Sequence, residues 1–177
     1  SALNKNTTGD FNIAVGSNAL CSNVTSDSNT AVGYYSLRLN TGASNTAVGM
    51  CSLEANTTGT SNVAIGFEAS RLNTEGTGNV AVGYEALDAN TTGGVNVAVG
   101  YRALKVNTTA GNNVAIGYAS LQANTTGTCN TAVGTNALLA NTTATGNTAV
   151  GMNSLDANTE GFNNTAVGNC SGSGITT

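Results

Sequence analysis

Asn79-Val80-Ala81-Val82-Gly83-Tyr84-Glu85-Ala86-Leu87-Asp88-Ala89-Asn90-Thr91-Thr92-Gly93-Gly94-Val95 is one unit of a chain that repeats itself. The glycine that closes its Asn-x-Ala-Val/Ile-Gly segment recurs at Gly16, Gly33, Gly49, Gly66, Gly83, Gly100, Gly117, Gly134, Gly151 and Gly168. The steps are 17 residues, then 16, then 17 throughout. A fixed period of this length marks a repeat array, in which each unit packs on its neighbours and no single round core exists. Residues 1–177 therefore read as one array with partial coils at both ends. The chain opens inside a repeat, because Ala2-Leu3-Asn4-Lys5-Asn6 matches Ala86-Leu87-Asp88-Ala89-Asn90, and the expectation is a processed chain or a piece of a longer array.

With the glycine as phase zero, the segment before it is Asn, Thr/Val/Ile, Ala, Val/Ile. It is short, β-branched and alternating, the pattern of a strand. Period two sets the Thr/Val and Val/Ile positions on one face and Ala with Asn on the other. The alanine never varies, and Ala64, Ala81, Ala98 and Ala115 mark a close approach, either a ladder within the coil or an interface between chains. A second short strand is expected after the glycine. There phase +1 is often large (Tyr34, Met50, Phe67, Tyr84, Tyr101, Tyr118, Met152) and phase +4 is Leu except at Ser70 and, in the last unit, Gly172. Phases +4 and +6 are expected to face the core, and the charged phases +2 and +5 to face solvent. The turn is Asn-Thr-Thr-Gly or a relative, rich in residues that tolerate tight or left-handed conformations. The 16-residue step comes from a shortened turn at Thr41-Gly42-Ala43-Ser44, which can lose a residue without moving the strand register.

The predicted fold is all-β: a parallel β-roll or β-solenoid of about ten 17-residue coils. Coils at an interstrand spacing of about 4.8 Å give a rod of roughly 48 Å. Each residue then sits over its equivalent one period earlier, and two asparagine ladders follow. One runs through Asn79, Asn96 and Asn113, the other through Asn90, Asn107 and Asn124. A primary amide both donates and accepts, so stacked amides can satisfy one another along the rod. Phase +5 reads Glu54, Arg71, Asp88, Lys105, an alternation of sign that avoids like-charge stacking. The repeat carries more apolar positions than one thin coil can bury. A homo-oligomer is therefore expected, trimeric about one axis, with Tyr84, Tyr101 and Tyr118 either at its interface or in a stacking ladder.

Composition narrows the function. Net charge is −4, without the clustered Lys and Arg of a nucleic-acid footprint. No run approaches the ~18 apolar residues of a membrane span. The chain has no His, the commonest general base, and its acids lie at repeated outward phases, so no catalytic residue, metal or cofactor is expected. The four cysteines, Cys21, Cys51, Cys129 and Cys170, fall at mismatched phases or distant coils, beyond the ~7 Å reach of an intrachain disulfide. Asn-x-Ser/Thr sequons stand at Asn6, Asn23, Asn56, Asn90, Asn107, Asn124, Asn141, Asn163 and Asn169, and the stacked turn accounts for most of them without sugar.

The Asn-Thr-Ala-Val-Gly copies (Asn29–Gly33, Asn45–Gly49, Asn130–Gly134, Asn147–Gly151, Asn164–Gly168) and Ala-Leu-x-Ala-Asn-Thr-Thr-Gly (Ala86–Gly93) resemble tandem repeats of bacterial surface and phage tail-fibre proteins. They are similar to the head repeats of YadA-type trimeric autotransporter adhesins, whose unit is shorter. The resemblance implies a trimeric left-handed parallel β-roll and binding to surfaces such as host matrix. The expected function is thus a non-enzymatic, extracellular fibre module at a cell surface or virion: an adhesin head, a tail-fibre shaft or a filament subunit. Its partners would be itself, as homotrimer or end-to-end filament, and a host or surface receptor. The rival reading is an ice-binding solenoid built on turn threonines such as Thr91, Thr108, Thr125 and Thr142. A third is the shaft of an enzyme whose catalytic domain lies elsewhere.

Overall fold

The computed structural model describes all 177 residues. Its regular elements are ten three-residue strands: β1 (Ile13–Val15), β2 (Thr30–Val32), β3 (Thr46–Val48), β4 (Val63–Ile65), β5 (Val80–Val82), β6 (Val97–Val99), β7 (Val114–Ile116), β8 (Thr131–Val133), β9 (Thr148–Val150) and β10 (Thr165–Val167). They form one sheet in sequence order, every pair parallel. Register follows the period: Ala81 lies beside Ala64 and Ala98, and Val82 beside Ile65 and Val99. Across the short step Ala31 still meets Ala47, so the lost residue is absorbed in the turn and the strand is undisturbed. The architecture is a parallel β-solenoid with one 17-residue repeat per coil.

Each strand carries its alanine inward. Ala64, Ala81, Ala98 and Ala115 are fully buried, while the residues on either side of each stay partly exposed. The hydrophobic cluster of the core holds 22 residues, and all are Ala or Leu. A coil this thin has room for one methyl per strand, with leucine filling the far side. The alanines are therefore the ladder of the two sequence alternatives, since a wholly buried methyl is not available to a second chain.

The expected second strand does not form. After the glycine the chain makes two successive turns, closed by Ala86 N–H on Gly83 O at 3.4 Å and Asn90 N–H on Leu87 O at 3.3 Å. Glu85 and Leu87 both lie in the left-handed region, at φ 51° and 55°, and the same phases do so in coil after coil. The left-handed residues turn neighbouring side chains the same way, so Ala86 and Leu87 are both fully buried. A strand would have sent them to opposite faces. The same change corrects the expectation for phase +6. It points outward, as Leu39 and Leu72 show by their exposure, and only phase +4 enters the core.

A left-handed leucine costs about 1–2 kcal/mol in backbone sterics, against about 1.5–3 kcal/mol gained by burying its side chain. Its backbone is also held, because Leu87 N–H reaches Ala103 O in the next coil at 2.9 Å. Burial wins, narrowly, and a β-branched residue would tip the balance the other way. Phase +4 contains Leu and never Val or Ile. The phase-zero glycine is more strictly required. Gly83 has φ 136°, and a Cβ there would lie 2.4 Å from Gly100 O.

Candidate interaction surface

Two buried polar ladders keep the coils in register. Asn90 donates from Nδ2 to Asn73 Oδ1 at 2.8 Å and to Gly93 O at 2.9 Å, and its Oδ1 accepts from Asn107 Nδ2 at 3.0 Å. Asn124 continues the file onto Asn107 at 2.9 Å. The second ladder is wired differently. Asn79 Oδ1 accepts the backbone N–H of Asn96 at 2.9 Å, and Asn96 Oδ1 that of Asn113 at 3.0 Å. Asn79 Nδ2 crosses the coil to Gly93 O at 2.8 Å. One carbonyl thus uses both lone pairs to join the two ladders. Unpaired buried amides would cost several kcal/mol per coil; paired, they fix the register. Amide-to-amide stacking explains the Asn90 file, while the Asn79 file is mainly side chain to backbone.

This wiring settles most sequons. Asn23, Asn56, Asn90, Asn107, Asn124 and Asn141 are buried, so folding closes them to modification. Asn163 and Asn169 are exposed.

The outward strand face is different in kind. In β4 to β7 it carries Val63, Ile65, Val80, Val82, Val97, Val99, Val114 and Ile116 in two straight files. In β2, β3 and β8 to β10 the first file changes to Thr, and in β1 to Ile13. No charged residue stands on it. Beside it runs the phase +1 file, where Phe67, Tyr84, Tyr101 and Tyr118 stack at centroid distances of 5.2, 5.1 and 5.2 Å, with planes within 10° of parallel. The faces of Tyr84 and Tyr101 are covered by neighbouring rings. A sugar needs an open ring face to stack on, and these two rings offer edges.

The charges form a separate ribbon at phases +2 and +5. Arg38 meets Glu54 at 3.0 Å, Arg71 meets Asp88 at 3.1 Å, and Glu85 takes both Lys105 at 2.7 Å and Arg102 at 2.8 Å. The expected alternation along phase +5 is only partly used, because Lys105 turns aside from Asp88 to Glu85. The Lys105 hydrogen bond, with Arg102 beside it, holds the Glu85 carboxyl below the usual range. Burial, partly opposed by Arg71, pushes Asp88 up. Arg102 also lies over the Tyr101 ring, 5.0 Å from its centroid.

In the regular turns the first threonine is half-buried and points along the rod, while the second, as at Thr92, Thr109 and Thr126, is exposed. Thr91 Oγ1 donates to Thr108 O at 3.1 Å, Thr108 to Thr125 O at 3.2 Å, and Thr125 to Thr142 O at 3.0 Å. The four cysteines are free, with Cys51 buried and its thiol pushed up by that burial. No group of His, Cys, Asp or Glu is placed to hold a metal ion, and no helix is long and apolar enough to cross a membrane.

Sequence reasoning missed a shallow apolar recess lined by Val106, Gln122, Ala123, Leu139 and Ala140. It opens where Gln122 and Leu139 replace the charges of phase +5, a signal visible once phase +6 is known to face outward. Comparison with family models, with curated proteins and with solved structures finds no match for this chain.

Proposed function

We propose that the chain is a structural and adhesive fibre module, non-enzymatic, working outside the cell at a cell surface or virion, and assembled as a homotrimer through its outward strand face. One observation carries this reading. The coil fills its own interior with Ala and Leu, some Ser at the same phases and the Asn ladders, yet it still presents two uncharged files of Val, Ile and Thr on the opposite side of every strand. A face that the coil does not need, and that would stand in water in the isolated chain, suits burial against identical faces. The resemblance to trimeric adhesin head repeats supports the same arrangement. The rod would then act by geometry, holding a receptor-binding region away from the surface that anchors it.

The test is the mass of the native particle by light scattering behind a sizing column, for the natural chain and for Val82→Lys/Val99→Lys. A trimer that falls to folded monomers in the double variant supports the proposal, and a natural chain that is already a stable monomer overturns it. The ice-binding alternative is weakened at Thr91, Thr108 and Thr125, whose hydroxyl protons are given to the next coil. A thermal-hysteresis measurement on the monomer would revive it.

A further inference from the structure

Every tyrosine in this chain is stacked on another tyrosine. Tyr84, Tyr101 and Tyr118 form one column, and Tyr34 lies against Tyr35 with centroids 4.0 Å apart. There is no Trp or His to compete as an oxidisable ring. The rings are also reachable: Tyr84 is 40% exposed, Tyr101 38% and Tyr118 54%. In the column one ring is nearly a pure translation of the next, with interplanar angles of 9° and 4°. Equivalent ortho carbons on successive rings are therefore separated by about the same vector as the centroids, 5.1 to 5.2 Å. A half-exposed ring can swing on its side-chain torsions to close that gap, while the backbones stay hydrogen-bonded at the coil spacing.

We infer that the Tyr84–Tyr101–Tyr118 column is an oxidative cross-linking site, at which neighbouring coils are joined by a carbon–carbon bond between tyrosine rings. The co-reactant is a peroxide with a one-electron oxidant of the peroxidase class. Two phenols each give up one electron and one proton, and hydrogen peroxide takes both pairs to leave two waters. The two phenoxyl radicals couple at their ortho carbons. Each of those carbons then loses its hydrogen to the phenoxyl oxygen, which restores both aromatic rings and both hydroxyls. The chain ends lighter by two hydrogen atoms, and two coils held by hydrogen bonds become covalently stapled. The inference does not depend on the oligomeric state, since both rings belong to one chain.

Phe67 sets the lower limit of the site. It occupies the same file and stacks on Tyr84 at 5.2 Å, but without a hydroxyl it cannot couple. It also shows that phenylalanine fits the column, which makes Tyr101→Phe a conservative probe. Tyr84 and Tyr118 are then left two coils apart, about 10 Å, with no partner in reach.

The experiment treats the folded chain with peroxidase and hydrogen peroxide after its thiols have been alkylated. Methionine oxidation adds oxygen and is separated by mass. Cleavage after Glu85 and after Arg102 parts the three tyrosines, so a cross-linked peptide identifies the pair. The expected result is the blue fluorescence of the biphenolic product, a chain that still runs as a monomer on a denaturing gel, and cross-links at Tyr84–Tyr101 or Tyr101–Tyr118. Tyr101→Phe should lose both and keep only the Tyr34–Tyr35 product. If that variant fails to fold, Tyr118→Phe should lose only the Tyr101–Tyr118 link. Coupling only between chains, no coupling where free tyrosine couples readily, or a product indifferent to Tyr101→Phe would overturn the inference.

Discussion

The turns of the rod are built to one plan everywhere except between the second and third coils, and the two cases show what register is made of. From Asn56 to Asn141 each turn asparagine passes an amide hydrogen to the one below and accepts one from above. Thr57 N–H and Oγ1 both meet Thr74 O at 2.9 Å, and Thr91 repeats this on Thr108. At the shortened turn the pattern breaks. Asn40 Nδ2 goes to Gly42 O and does not reach Asn23, so Asn23 Oδ1 is buried without a partner. Asn29 Nδ2 falls back on Asp27 O at 3.2 Å. Val24 stands where the other coils have Thr, and no bond joins its N–H to Thr41 O; Ser26 Oγ takes that carbonyl instead. The strands on either side stay paired, so the sheet and the turns of one coil are separable sources of stability.

The largest expected effect comes from breaking the regular stack at its tightest point. Gly83→Ala combines a forbidden φ with a backbone clash on Gly100 O, and should cost about 4 kcal/mol or prevent folding, read as a shift in urea unfolding. Next come the asparagines. Asn90→Ala removes three hydrogen bonds and leaves Asn73 Oδ1 unpaired in the core, a loss of about 3 kcal/mol. Asn23→Ala, at the break, should cost only about 1–2 kcal/mol, because half of that amide is unpaired already. Equal losses at the two positions would mean that the break is healed in solution.

Repairing the turn is the complementary test. One Thr inserted after Thr41 restores the Asn-Thr-Thr-Gly spacing of Asn56-Thr57-Thr58-Gly59. It should add about 1 kcal/mol and slow hydrogen exchange at Val24 towards the rate at Thr57. Unchanged exchange would show that Val24, and not the missing residue, causes the break.

The smallest effect is electrostatic and belongs to the regular region. The folded Glu85 carboxyl titrates lower than an ordinary glutamate, near pH 4.3 when unperturbed. Its ion pairs therefore stabilise the fold fully above that ordinary value, and the contribution is lost as pH falls through the lower folded value. Glu85→Gln should flatten this part of the acid limb in a pH series of unfolding measurements, and added salt should shrink the difference.

Much of this was legible in the residues. The period gave the coil, the invariant asparagines gave both ladders, and the missing turn residue marked the one irregular step. The candidate surface was legible only in part. Alternation placed the Val/Ile and Thr/Val files opposite the alanine, but periodicity assigns relative faces and is silent on which one is inside. That was decided by volume, since only a methyl fits where the strand meets the leucine file. The two turns after the glycine were hidden for another reason. Leucine is an unremarkable strand or helix residue locally, and nothing in Tyr84-Glu85-Ala86-Leu87 demands positive φ. The left-handed backbone at Glu85 and Leu87 is imposed by the coils above and below, with Glu85 N–H directed to Phe67 O and Leu87 N–H to Ala103 O. The sequence by itself determined the repeat, its register and its polar ladders, because these follow from one residue standing over its equivalent. Only the tertiary structure decided the sign of φ after the glycine and which apolar face is left outside, because both depend on hydrogen bonds and space that exist only between stacked coils.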